Sequence, residues 1–173
     1  MSETATLEKP ESWLWHLLGL INPAIVMASN IVGGYWVASG FIYMLGLGPL
    51  LDMFFGRASK PKPPRESGRP FEALLYVHAF IQFAVLATLM YRASIDGAAW
   101  TTWVAALSTG ISSGVSGIIV AHELGHTKKG SFSWWVGRLN LLSVLYLHFT
   151  TEHNFTHHKH VSTVKDPATA LRD

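Results

Sequence analysis

The sequence predicts an all-α fold, a polytopic transmembrane helical bundle of four spans plus an interfacial or re-entrant helix that carries two histidine clusters on the cytoplasmic side. Three observations predict it. Of 173 residues, 49% are hydrophobic and 14% charged, whereas soluble domains carry about 25% charged residues. The charges fall in short clusters between long uncharged runs. Seven of the nine histidines lie between His122 and His160, directly after the last of those runs.

The elements follow in order. From Ser12 to Leu51 there is no Asp, Glu, Lys or Arg, and a bilayer core takes about 20 apolar residues per helix. This run predicts helices over 12–31 and 34–55, turning near Gly33-Gly34. A cleaved signal peptide is disfavoured, because the N-terminus carries Glu3 and Glu8 where such a peptide is basic. Residues 56–70 hold five cations and four prolines and read as a basic loop. Two further apolar runs predict helices over 71–91 and 98–126, joined by a polar turn from Arg92 to Gly97. Gly110, Gly114 and Gly117 with Ser108, Ser112, Ser113 and Ser116 suit close helix contact in lipid. The cations in the loop and after the fourth run place the N-terminus and the histidines in the cytoplasm.

With no cysteine, a disulfide framework, a thiolate metal site and a cysteine nucleophile are excluded. The net charge of +2 gives no basic patch for nucleic acid. Metal ligands must therefore be nitrogen and oxygen atoms.

The histidines form two groups, His122-Glu-Leu-Gly-His126 and Glu152-His-Asn-Phe-Thr-His-His158. On a helix, His122 and His126 lie one turn apart on one face; His153 and His157 repeat that spacing, with His158 alongside. Imidazole suits Fe, Zn, Cu and Ni. Glu123 and Glu152 are candidates for fixing a ligand's tautomer or for binding metal themselves. Five imidazoles exceed what one four-coordinate zinc uses, so a two-metal centre is the simpler reading. Both groups must then lie on one side of the membrane, so the apolar stretch 132–158 between and through them cannot cross once; it lies in the interface or re-enters. The rival is an intramembrane zinc metalloprotease, with His122 and His126 as ligands and Glu123 as general base. It leaves three histidines unused. His16 and His78, inside apolar runs, read as packing residues, and the tryptophans as interface anchors.

The two groups, closed by Val161-Ser-Thr-Val-Lys-Asp-Pro-Ala168 and preceded by Gly48-Pro-Leu-Leu-Asp52, resemble the membrane-bound non-haem diiron alkane monooxygenases of the wider fatty acid desaturase/hydroxylase superfamily. The resemblance covers essentially the whole chain. It implies His122, His126, His153, His157 and His158 as ligands of two Fe ions, with O2 as cosubstrate. It also implies terminal hydroxylation of medium- or long-chain alkanes, with electrons from rubredoxin and its NAD(P)H-dependent reductase, in the bacterial inner membrane. Bulk near Met44 would then limit substrate length in a channel. A related membrane fatty acid desaturase or hydroxylase is the alternative within the same scheme. Thr127 and Thr156 stand where the family usually has a cation and a glycine. Family members carry a third histidine box and a further ligand histidine, so this chain is expected to be an N-terminal half with an incomplete site.

Overall fold

A computed structural model describes residues 12–55, 67–166 and 168. Among them there is no strand, and four helices are long and apolar enough to cross a membrane. These are α1 (Trp13–Val32), α2 (Gly34–Phe55), α3 (Arg69–Asp96) and α4 (Trp100–Gly125). Two shorter helices follow, α5 (Phe132–Ser143) and α6 (residues 149–160). The protein is an integral membrane helical bundle. Most of the basic loop, residues 56–66, lies outside the described residues, and its last two residues, Arg69 and Pro70, open α3.

Local chemistry sets the ends. The Ser12 hydroxyl accepts from the Leu14 amide at the start of α1, and the Ser131 hydroxyl accepts from the Trp134 amide at the start of α5, each satisfying an orphan helix donor. Pro70 sits in the first turn of α3, where its missing amide costs nothing. Gly33 and Gly34, both at positive φ, reverse the chain between α1 and α2.

The polar turn expected at Arg92 is instead the last turn of α3. Arg92 is 6% exposed. It donates to the carbonyls of Asn30 and Ile31 at 2.7 and 2.6 Å and pairs with Asp96 at 3.1 Å. One cation thus satisfies the orphan carbonyls of α1, which is why the helix continues through it.

The packing between spans is polar as well as apolar. Asn30 donates to Thr88 and Thr109, Gln82 to Ser113 and Ser143, and Ser108 to the Val37 carbonyl. With apolar side chains already at home in lipid, such hydrogen bonds and small-residue contacts hold helices together. In α4 the π turn Gly114–Ile119 presents the Ser116 carbonyl to Asn140 of α5 at 3.0 Å.

That contact positions the rest. Ser133 meets Tyr76, while Ser143 meets Gln82, so α5 runs from the first turns of α3 towards its middle. The chain then turns at Val144–Leu147, with Leu145 at φ 56°, and α6 returns to the end of α4. The stretch 132–158 is therefore two helices and a turn, and it delivers the second histidine group to the same end as the first.

Candidate metal centre

His122 and His126 stand on the last turn of α4 and just past it, their rings 4.8 Å apart. The ring of His153 lies 4.2 Å from His122 and 5.4 Å from His126. One ligand atom from each of these three residues lies within 4.8 Å of the others. His158 joins them, 4.9 Å from His126 by ring centre, with its Nε2 2.9 Å from His153 Nε2. His157 is 5.3 Å from His153 and 5.6 Å from His158. All five expected residues come together.

Backbone geometry explains the His153–His158 contact. Residues His153–His157 form a π turn, in which hydrogen bonds link i and i+5. That wider turn swings His158 onto the side of His153, a placement a regular α-helix would not give.

Two further contacts fix the segment, and neither residue was singled out from the sequence. Asp166 Oδ1 lies 2.8 Å from His157 Nδ1, with the carboxylate fully buried. A ligating histidine commonly donates its second ring nitrogen to a carboxylate, which fixes the tautomer and leaves Nε2 for the metal. Asn154 Nδ2 donates to the Gly125 carbonyl at 3.0 Å, tying the second group to the end of α4. The sequence signal for Asp166 was an acidic residue closing the Val161–Ala168 run; its reach depends on a turn with Ser162 at φ 62°.

Glu123 and Glu152 are exposed. Glu152 borders a cavity of about 170 Å³ with Tyr146, Phe149, His153 and His157. Met44 is half-buried in the π turn Tyr43–Leu47 of α2 and does not line the cavities beside the second histidine group. His16 packs edge-on against Phe71, and His78 bonds Ser116 at 3.1 Å.

The donor chemistry fits a metal. Burial, and then the imidazoles of His122, His158, His126 and His157, lower the His153 ring from the usual range to about 4, so at neutral pH it is the uncharged base that ligation requires. Phe149 stacks on His153 at 4.9 Å, giving the cluster one apolar wall.

Residues 98–173 match the sequence profile of the fatty acid desaturase family. Alkane 1-monooxygenase 1 of Pseudomonas aeruginosa is 34% identical, over 98% of this chain and 47% of that protein. The enzyme of the same name from Alcanivorax borkumensis is 32% identical over the same shares, and the alkane 1-monooxygenase of Ectopseudomonas oleovorans is 34% identical over 92% of this chain and 42% of that protein. The chain spans about half the length of these relatives. No solved structure gives a significant match. Along nearly all of its length this chain is similar to the alkane 1-monooxygenases, and over residues 98–173 it matches the fatty acid desaturase family's profile.

Proposed function

We propose that this chain supplies the first two histidine groups of a membrane alkane hydroxylase that uses O2 at a diiron centre. The convergence of five imidazoles from two helical segments carries the reading, and the names of the relatives supply the substrate class. His122, His126, His153, His157 and His158 would hold the two Fe ions. When bound, the iron supplies the redox chemistry that an unpolarised C–H bond demands and that acid–base groups cannot.

The protein's own residues prepare the site. Asp166 holds the His157 ring by Nδ1, and the π turn holds His158 beside His153. Asn154 keeps the second segment against α4. Phe149 stacks on His153 and Tyr146 packs on Phe149, covering one side of the cluster. Because the cluster sits where α4 ends, a substrate dissolved in the bilayer reaches it along the spans. Met44 would limit chain length there. Electrons would come from rubredoxin and its NAD(P)H-dependent reductase, at the cytoplasmic face of a bacterial inner membrane.

The test combines metal analysis with product analysis. Iron and zinc are measured on the purified chain, and on the enzyme completed to the length of its relatives, together with the products formed from n-alkanes. Iron in the completed enzyme and a primary alcohol as product support the reading. One zinc per chain and no alcohol would replace it with the metalloprotease. The family match over residues 98–173 supports a second reading, a fatty acid desaturase or hydroxylase; products from fatty acyl chains and none from alkanes would select it.

A further inference from the structure

A second cavity, of about 440 Å³, opens between the end of α4, helix α5 and helix α6. None of the five clustered histidines lines it. Its walls bring together Lys129 and Arg138, two cations from separate parts of the chain, with Trp134, Trp135, Thr150 and Asn154. Neither cation makes an ion pair among the described residues. Arg138 is half-buried and held 5.0 Å over the Trp134 ring. Thr150 lines the cavity and is 7% exposed as a residue, with its hydroxyl open to the cavity and not hydrogen-bonded among the described residues. Two cations without a carboxylate partner, beside an available hydroxyl donor, form a donor set suited to an anion. No carboxylate lines the cavity.

The surroundings say which anion. On α5, Phe132, Trp135, Leu139 and Leu142 are spaced three, four and three residues apart and all are exposed, one apolar stripe along a single helix face. Trp135 belongs both to this stripe and to the cavity wall. A ligand that satisfies both features has an anionic head and aliphatic tails. Basic pockets between membrane helices hold anionic lipid head groups in this way.

We propose that this cavity binds the phosphodiester of an anionic phospholipid, with Arg138, Lys129 and the Thr150 hydroxyl on the phosphate oxygens and the acyl chains along the α5 stripe. Asn154 lines the same cavity and bonds Gly125, so the lipid braces the segment that carries the second histidine group. The binding needs neither metal nor turnover, so it stands or falls separately from the proposed reaction.

The probe is dioleoyl phosphatidylglycerol, offered to the delipidated chain in neutral detergent and read by native mass spectrometry, with phosphatidylcholine and excess inorganic phosphate as parallel arms. Phosphatidylglycerol should be retained over phosphatidylcholine. Arg138→Gln should weaken it about tenfold, the value of one charge-assisted hydrogen bond. Thr150→Val, which preserves shape, should weaken it about fivefold. Lys128→Gln, a neighbouring cation outside the cavity, should change nothing. Equal retention of the two lipids overturns the proposal, as does an effect of Lys128→Gln equal to that of Arg138→Gln. Displacement of the lipid by inorganic phosphate overturns the lipid assignment and gives the cavity to the free anion.

Discussion

The guanidinium of Arg92 occupies the space where a side chain at Gly33 would begin: a Cβ built there would lie 2.5 Å from Arg92 Cζ. Gly33 also has φ +78°, a region that L side chains rarely adopt. The turn between the first two spans and the arginine that caps the first are thus one device.

Gly33→Ala should therefore cost about 2–3 kcal/mol, since it adds both backbone strain and a clash with a buried cation. Gly34→Ala provides the comparison. Gly34 has φ +59° but open space around its Cβ position, so only the strain remains, about 1 kcal/mol. Thermal unfolding in detergent checks the order; equal losses would show that Arg92 yields freely.

Asp166→Asn should weaken metal affinity by about tenfold or more without altering helix content, because the amide cannot hold His157 as the carboxylate does. Metal per chain after dialysis at fixed free iron is the measurement. Unchanged retention would reduce Asp166 to a turn-stabilising residue.

His153→Ala and His158→Ala should each abolish most of the bound metal. His148→Ala should not, since His148 packs edge-on against Tyr146 at 4.5 Å and makes no ring contact with the clustered histidines. Metal analysis of the three variants side by side decides; loss in all three would indicate a general unfolding of α6.

Gly137 is where α5 touches α4: a Cβ there would lie 3.1 Å from Leu124 Cβ and 3.2 Å from the Ala121 carbonyl. Gly137→Val should push the helices apart at a cost of about 1–3 kcal/mol, and metal binding should fall with it. Gly110→Ala, whose Cβ meets nothing within 4 Å, should leave both unchanged. Paired unfolding and metal measurements test this.

On the proposed function, Met44→Trp should shorten the range of alkanes hydroxylated by the holoenzyme, and Met44→Ala should extend it. Gas chromatography of products from a series of n-alkanes reads this, and an identical profile in all three proteins would remove Met44 from the channel.

The four spans were legible because composition alone marks them: an uncharged run long enough to cross a bilayer has few other uses. The pairing of the two histidine groups was legible too, from one constraint, that ligands of one centre share a side. What escaped was set by contacts that spacing does not encode. Arg92 looked like a loop cation because its partners, the carbonyls of Asn30 and Ile31, lie about 60 residues earlier. Asp166 reaches His157 only through a turn with a left-handed serine. Asn154 lay in plain view within the second group, but its acceptor is a backbone carbonyl of another helix. The His153–His158 contact needed a π turn that periodicity read as an ordinary helix.

That π turn changes how the second group should be understood. On a regular α-helix, at about 100° per residue, a residue five positions on lies about 140° around the axis, so His158 would face away from His153. The wide turn absorbs one residue, and the five-residue spacing then behaves as a four-residue one with an insertion between the imidazoles. Asn154 lies within this same turn and bonds the Gly125 carbonyl from it. Shortening this stretch by one residue would keep the rings aligned and sacrifice the tether, whereas lengthening it would scatter His157 and His158. The segment tolerates changes in length asymmetrically, and deletion is the gentler of the two.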